Sequence, residues 1–231
     1  MGLRIAIVGE PTKGKSTGIY PNSQYKIKGL APEETVLLSF SGKQAPVRGA
    51  NRLYPKDRKI SEGGNHAHIT DVKTLPKIIQ FISNERPEIK NIVLEDAQYS
   101  MSLDFMNRAK EKGYDKFTDI GVAFANWMTE AQNSREDLKV FVIWHPEKDK
   151  DGEYKMKTIG NMVDAYLTPE GLMDIILYAT CSKGANGVME YNFVTNNNGI
   201  FPARSPIGMF DDIMIPNDLG LVSDKVNEYY N

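Results

Sequence analysis

The stretch LRIAIVGEPTKGKST, residues 3–17, constrains the fold more than any other part of the chain. A run of aliphatic residues ends at Gly9, and the letters GKST begin five residues later, at Gly14. A strand, the pattern G-x-x-x-x-G-K-[ST] and a helix in this order form a phosphate-binding loop, whose backbone N–H groups point at phosphate oxygens. The apolar strand favours the centre of a parallel sheet covered on both faces. The stretch therefore predicts an α/β fold with a nucleotide site after its first strand.

The residues of this loop have separate expected roles. Lys15 reaches the β- and γ-phosphates in this motif, and the Ser16 hydroxyl ligates Mg²⁺. Pro21 predicts that the following helix is short, because proline breaks a helix interior. The alternative is a glycine-rich turn with a chance lysine. We expect the phosphates to be held by the loop as a whole, with Lys13 facing solvent: Gly9, Glu10, Pro11, Thr12, Lys13, Gly14, Lys15, Ser16 and Thr17.

Two adjacent acids end a later apolar run, IVLEDAQY. Glu95 and Asp96 fall at the carboxyl end of a predicted buried strand, where ligands collect in open α/β sheets. A phosphate-binding loop needs an acid there to hold Mg²⁺. Successive strand residues point to opposite faces, so we expect one acid to face the metal and the other to polarise the attacking water. A helix N-cap would need only Asp96 and would leave Glu95 unexplained.

A histidine, His145, directly follows the next predicted strand, residues 139–144. His145 is placed to sense the γ-phosphate, and a hydrogen-bonded loop histidine is an equal alternative. His66 and His68 lack the further ligands of a zinc site and are expected in a loop.

Basic residues occur in two clusters although the formal net charge is −2, so a polyanion would have to bind a local patch. The first lies in residues 43–59 around Tyr54. The second cluster, in residues 148–157, could contact single-stranded nucleic acid through phosphates and base stacking. Its lysines alternate with acids, so an ordinary solvated loop is an equal alternative. Arg204 is either a finger that completes a neighbouring subunit's site or a surface arginine. The second cluster comprises Lys148, Lys150, Tyr154, Lys155 and Lys157.

Apolar strands alternating with amphipathic helices predict one three-layer α/β domain, residues 1–231, with a mostly parallel sheet. Residues 41–70 read as a long loop or insertion, and residues 205–231 as a tail that packs on the core. No apolar run approaches the roughly 20 residues of a membrane span. The single cysteine, Cys181, rules out an internal disulfide and suits the cytoplasm.

Six blocks spread along the chain resemble the phage nucleotide-binding proteins of the RecA-like Sak group: GEPTKGKST, ETVLLSF, IKNIVLEDAQY, DLKVFVIWHPE, KTIGNMVDAYLTPEGLMDIILYA and ARSPIGMFDDIMIPNDLGLV. The resemblance implies a RecA-like P-loop ATPase core that binds ATP and Mg²⁺. It also implies single-stranded DNA binding, a role in annealing or recombination, and self-assembly into a ring or filament. A single-strand-binding protein as a further partner and the bacterial host cytoplasm as location follow from the same resemblance.

The resemblance assigns site residues by matching position. The phosphate loop matches from Gly9 to Thr17, Glu95 and Asp96 match the paired acids, and His145 matches the polar strand end. The first acid is Glu95 where aspartate is usual, which leaves open how the two acids divide their roles. The DNA-binding loops would fall near residues 99–116 and 146–161.

Two other functions stay open. A small nucleotide kinase shares the phosphate loop but needs an arginine-bearing lid, and the arginines after residue 58 form no lid-like pair. A non-hydrolysing module, in which nucleotide only switches assembly or partner binding, fits the glutamate in place of aspartate.

Overall fold

A computed structural model describes residues 1–165, 167–184 and 187–230. The strands are β1 (Leu3–Val8), β2 (Thr35–Ser39), β3 (His66–His68), β4 (Asn91–Glu95), β5 (Lys139–Trp144), β6 (Pro146–Lys148), β7 (Tyr154–Met156), β8 (Ile175–Lys183), β9 (Met189–Val194) and β10 (Met214–Pro216). The α-helices are α1 (Ala50–Leu53), α2 (Leu75–Glu85), α3 (Tyr99–Asn107), α4 (Asp115–Asn133), α5 (Asn161–Asp164) and α6 (Leu219–Tyr230). Short 3₁₀ turns cover Thr17–Ile19, Ser23–Tyr25, Pro32–Glu34, Ile60–Glu62, Val72–Thr74 and Pro169–Leu172.

Eight strands form one central sheet in the order β10-β9-β8-β1-β5-β4-β2-β3. The strands from β8 to β3 in this order are parallel, whereas β9 and β10 are antiparallel to their neighbours. The predicted mostly parallel sheet is therefore confirmed. β5 lies between β1 and β4, so the ends of these three strands meet at one edge. A separate hairpin, β6 and β7, follows β5 directly.

Both faces of the sheet are covered, because successive strand residues point to opposite sides. In β4, Ile92 and Leu94 belong to one hydrophobic core and Val93 to the other. The first core is closed by α2, α3 and α4, with Phe124 and Trp127 in edge-to-face contact at 5.0 Å. The second contains side chains of α1, α6 and the turn after the phosphate loop. This arrangement is compatible with a three-layer α/β fold.

Helices form where the sequence repeats apolar residues at helical spacing. In α2, Leu75, Ile79 and Ile82 are buried, and Asp71 caps the preceding turn by accepting a hydrogen bond from the Lys73 N–H. After the phosphate loop, the expected short helix is a single 3₁₀ turn, Thr17–Ile19.

One expectation is wrong: His66 and His68 do not lie in an irregular loop. They form the ends of β3, the edge strand that pairs with β2. Pairing with β2 supplies the backbone hydrogen bonds that the short HAH sequence could not indicate on its own. Residues 41–70 thus include α1 and β3, and residues 205–231 include β10 and α6. In the described residues, no helix is both long enough and apolar enough to cross a membrane.

Candidate nucleotide site

The phosphate loop begins where β1 ends at the carboxyl edge of the sheet. The Gly9 N–H donates to the Trp144 carbonyl at 3.1 Å, which ties the loop to β5. A side chain at Gly9 would bring a Cβ within 3.0 Å of both the Cβ and the carbonyl oxygen of Ala179. Gly14 has a φ of +83°, a left-handed conformation that favours glycine. The two motif glycines are therefore required by close packing and by backbone conformation, respectively.

Lys15 is buried and folds along the loop. Its Nζ donates to the carbonyls of Gly9 at 2.6 Å and Glu10 at 2.9 Å, and lies 3.5 Å from His145 Nδ1. Burial lowers the pKa of Lys15 to about 8, although Asp96 nearby acts in the opposite direction. The predicted phosphate lysine therefore lies inside the cleft, close to the strand-end histidine.

His145 connects Lys15 to Asp96. Its Nε2 lies 3.4 Å from Asp96 Oδ1, while Nδ1 faces the Lys15 ammonium. A neutral imidazole that carries its proton on Nε2 satisfies both contacts, because it accepts from Lys15 and donates to Asp96. His145 therefore lines the cleft and contacts Lys15 and Asp96, and its role toward the γ-phosphate stays a prediction.

Asp96 leaves β4 with a φ of +56°, a left-handed conformation that aspartate tolerates better than most residues. Its Oδ2 accepts a hydrogen bond from Lys43 Nζ at 3.1 Å. Burial would raise the pKa of Asp96, but hydrogen bonds from His145, Ser41 and Lys43 outweigh it and hold the pKa well below its usual value. Asp96 is therefore an anion that is already well partnered.

Glu95 lies in a different environment from its neighbour. It is the last residue of β4 and points to the face of the second core, where the Ser16 hydroxyl is within hydrogen-bonding reach of its carboxylate. Burial raises the pKa of Glu95, and the Asp96 charge acts in the same direction. The structure thus pairs Glu95, rather than Asp96, with the hydroxyl that the motif assigns to the metal.

The donor set of Ser16 and Glu95 fits Mg²⁺, which takes oxygen ligands and typically uses one or two carboxylates together with waters and substrate phosphates. Among the described residues, no group of three or more histidine, cysteine, aspartate or glutamate side chains is arranged to hold a metal. A magnesium ion shared with phosphate does not require such a group.

These residues surround one cleft of about 330 Å³. Of the predicted residues, those that line it are Pro11, Thr12, Gly14, Lys15, Ser16, Thr17, Glu95, Asp96 and His145. Gly9 and Glu10 contribute through the carbonyls that hold Lys15, and the Glu10 carboxylate accepts a hydrogen bond from the Tyr154 hydroxyl at 3.4 Å. Lys13 does not line the cleft.

The structure adds residues that motif spacing did not identify. Lys43, from the segment after β2, and Tyr191, from β9, line the same cleft. Asn217 is buried and donates from Nδ2 to the Gly14 carbonyl at 3.1 Å. Lys43 was expected only as one member of a basic cluster. The block IPNDL around Asn217 carried the resemblance, but nothing in its composition indicated contact with the loop.

Arg204 lies away from the cleft of its own chain. Its backbone pairs with Ile176 of β8, and its guanidinium donates to the carbonyls of Glu170 and Met173. A role in a neighbouring subunit's site would require the guanidinium to leave both carbonyls. That role stays a prediction.

The second basic cluster falls on the β6–β7 hairpin and is largely engaged with its own surroundings. Lys155 pairs with Glu147 at 3.1 Å and with Asp164 at 2.7 Å. Lys148 lies 4.9 Å from the centre of the Tyr154 ring, and this ring stacks on Phe201. Four lysines face four acids in residues 146–157, so the hairpin has no net charge. Lys148, Lys150 and Lys157 are its exposed cations without an ion pair among the described residues, and of these Lys148 lies over the Tyr154 ring.

No protein-family model matches the chain, and a search of curated proteins found no match.

Proposed function

We propose that the protein is a magnesium-dependent ATPase of the P-loop class with a RecA-like core. One observation carries the proposal: Lys15, the Ser16–Glu95 pair and the His145–Asp96 pair converge on one cleft from three adjacent parallel strands. These are the parts that phosphoryl transfer requires, namely a phosphate lysine, an oxygen site for Mg²⁺ and a group that orients water. The strand order, with β5 between β1 and β4, also agrees with this proposal.

Catalysis in this site is chiefly positioning and charge neutralisation. Backbone N–H groups of the loop bind phosphate oxygens, and Lys15 turns from the carbonyls of Gly9 and Glu10 to the β- and γ-phosphates. Ser16 and Glu95 would hold Mg²⁺, which supplies positive charge to the phosphates when bound. Asp96, kept anionic by its hydrogen bonds, accepts a hydrogen bond from the attacking water, and His145 holds the Asp96 carboxylate in place.

The test uses two substitutions with different expected effects. Lys15→Ala should abolish ATP turnover and weaken ATP binding, because it removes the phosphate cation. Glu95→Gln should retain ATP binding but lose turnover by about 100-fold or more, since the metal then lacks its carboxylate. Lys77→Ala, an exposed lysine of α2, is the matched control and should behave as wild type. Isothermal titration gives binding, and phosphate release gives turnover.

Unchanged turnover in folded Lys15→Ala would refute the proposal. If the wild-type protein binds ATP tightly but hydrolyses it no faster than buffer alone, the non-hydrolysing nucleotide-switched module replaces the proposal. Phosphoryl transfer to a nucleoside acceptor would replace it by a small nucleotide kinase.

We further propose that the ATPase acts on single-stranded DNA in recombination or annealing, as a homo-oligomeric ring or filament. The six sequence blocks support this part. A salt titration of single-stranded DNA binding, with and without ATP, tests it, because phosphate contacts predict a steep loss of affinity with salt. Lys150→Glu together with Lys157→Glu should lower the affinity and the salt slope. Absence of binding at low salt would refute the DNA role, and a monomer under all nucleotide conditions in sedimentation would refute assembly.

A further inference from the structure

Lys43 enters the cleft from the opposite side to the phosphate loop. It follows Ser39, the last residue of β2, by four positions, and Gly42 before it has a φ of +63°. Its Nζ lies 3.1 Å from Asp96 Oδ2 and 5.8 Å from the centre of the Tyr99 ring. The Lys43 side chain is 61% exposed, whereas the Asp96 side chain is only 9% exposed. The Lys43 side chain can therefore change conformation without disturbing the packing around it, whereas the Asp96 side chain is held in place.

The contacts across the cleft form an ordered row. Lys15 contacts His145 at 3.5 Å, His145 contacts Asp96 at 3.4 Å, and Asp96 contacts Lys43 at 3.1 Å. Lys15 stands at the phosphate-loop end of this row and Lys43 at the other end. A triphosphate that lies along the loop, with its β- and γ-groups at Lys15, presents its terminal phosphate toward the far end. Lys15 and Lys43 both line the cleft in which that phosphate would lie.

The ion pair between Lys43 and Asp96 can be exchanged at little cost. Asp96 Oδ1 keeps its contact with His145 Nε2, at 3.4 Å, when Lys43 leaves. Only the Lys43 end of the pair is exposed, so solvent screens the lysine charge, and holding its long side chain in one conformation costs entropy. A terminal phosphate offers more negative charge and three acceptor oxygens, and lysine binds phosphate as a mobile point charge on a flexible stem.

We propose that Lys43 is a second phosphate-binding lysine, supplied by the same chain, which exchanges Asp96 for the terminal phosphate of a bound nucleoside triphosphate. The inference rests on the proposed function and deepens it. It predicts that the site distinguishes ATP from ADP partly through Lys43, since ADP lacks the group that Lys43 contacts. Departure of Lys43 also leaves Asp96 Oδ2 available to a water molecule.

The experiment compares the affinities for Mg·ATP and Mg·ADP by isothermal titration calorimetry. Lys43→Ala should weaken ATP binding about tenfold, as expected for one partly screened charge-assisted contact, and change ADP binding less than about twofold. Lys43→Arg should restore most of the ATP affinity, because it keeps a cation at the position. Arg48→Ala is the matched control, since Arg48 lies exposed on the same segment and its side chain forms no hydrogen bond or ion pair among the described residues. Thermal melting checks that each variant is folded.

Unchanged ATP and ADP affinities in Lys43→Ala would overturn the inference and leave the proposed function intact. An equal loss of both affinities would also overturn it, because Lys43 would then only hold Asp96 in place. If the wild-type protein binds neither nucleotide, the proposed function and the inference fail together.

Discussion

The contact between Gly18 and Asn217 gives a sharp test of how the C-terminal segment supports the phosphate loop. Gly18 lies in the buried 3₁₀ turn directly after the loop. A Cβ added to it would lie 2.4 Å from Asn217 Oδ1 and 3.0 Å from the Asn217 carbonyl oxygen. Asn217 also donates to the Gly14 carbonyl. Gly18→Ala therefore pushes Asn217 away from the loop.

The change in the free energy of unfolding follows from two opposing contributions. Overpacking of this kind typically costs about 1–3 kcal/mol. Replacement of glycine by alanine restricts the unfolded chain and returns about 0.4–1 kcal/mol. Gly18→Ala should therefore lower the free energy of unfolding by about 1–2 kcal/mol, which corresponds to a fall in Tm of about 2–4 °C per kcal/mol for a chain of this size.

Asn217→Ala should change stability less, because two effects oppose each other. The substitution removes the hydrogen bond to Gly14, a loss of about 0.5–1.5 kcal/mol. It also removes Asn217 Oδ1, a buried acceptor with no hydrogen-bond partner among the described residues. In the Asn217→Ala background the 2.4 Å clash is absent, whereas the contacts with the Asn217 carbonyl oxygen at 3.0 Å and carbonyl carbon at 3.1 Å remain. Gly18→Ala should then cost about 1 kcal/mol less than in the wild type.

The assay is a double-mutant cycle by urea denaturation, with Gly121→Ala as the control. An added Cβ at Gly121 of α4 meets no atom within 4 Å, so this substitution should stabilise the protein through helix propensity, by up to about 1 kcal/mol. If Gly18→Ala costs the same in both backgrounds within about 0.5 kcal/mol, the side-chain clash is not the cause and the reasoning fails.

Three further predictions concern the cleft and its surroundings. ATP affinity should fall about tenfold per pH unit above pH 8, because Lys15 in the nucleotide-free protein loses its proton near that pH and phosphate binds the protonated form. Titration calorimetry from pH 7 to 9 tests this. Lys15→Arg should remove this pH dependence. Arg4→Ala should lower the free energy of unfolding by about 2–4 kcal/mol, since it strips the half-buried Asp174 of its ion-pair partner, and no loss in urea denaturation would contradict it. Tyr178→Phe should be neutral or slightly stabilising in the same assay, because the buried hydroxyl has no hydrogen-bond partner in the described part of the chain while the ring stacks on Phe201.

The central strands could be predicted because their burial on two faces requires continuous apolar runs. β1, β4 and β5 are such runs, and each is recognisable without its neighbours. β3 is only three residues long and contains two histidines, so its strand conformation depends on pairing with β2. The β6–β7 hairpin is equally short, and no local composition distinguishes its strands from a loop. Edge strands and short hairpins thus depend on tertiary contacts that a local pattern does not contain.

The candidate site likewise contains residues that the sequence could predict and residues that only the structure identifies. The loop, the paired acids and His145 were predicted because each follows a strong strand, and parallel strands bring their carboxyl ends to one edge. Lys43 and Asn217 come from segments without regular periodicity, and only the folded chain brings them to Asp96 and Gly14. The sequence could therefore predict which strand ends meet at this edge but not the contacts that hold or complete the cleft.

The two acids show why the division of their roles needed the structure. Glu95 and Asp96 are adjacent and chemically alike, yet their pKa values shift in opposite directions. Glu95 ends the strand in regular conformation, so the pleat points it at Ser16 and into a buried environment. Asp96 turns out of the strand through its left-handed backbone and meets His145 and Lys43 instead. A one-residue change in backbone conformation thus gives two adjacent acids different partners, Ser16 for Glu95 and His145 with Lys43 for Asp96.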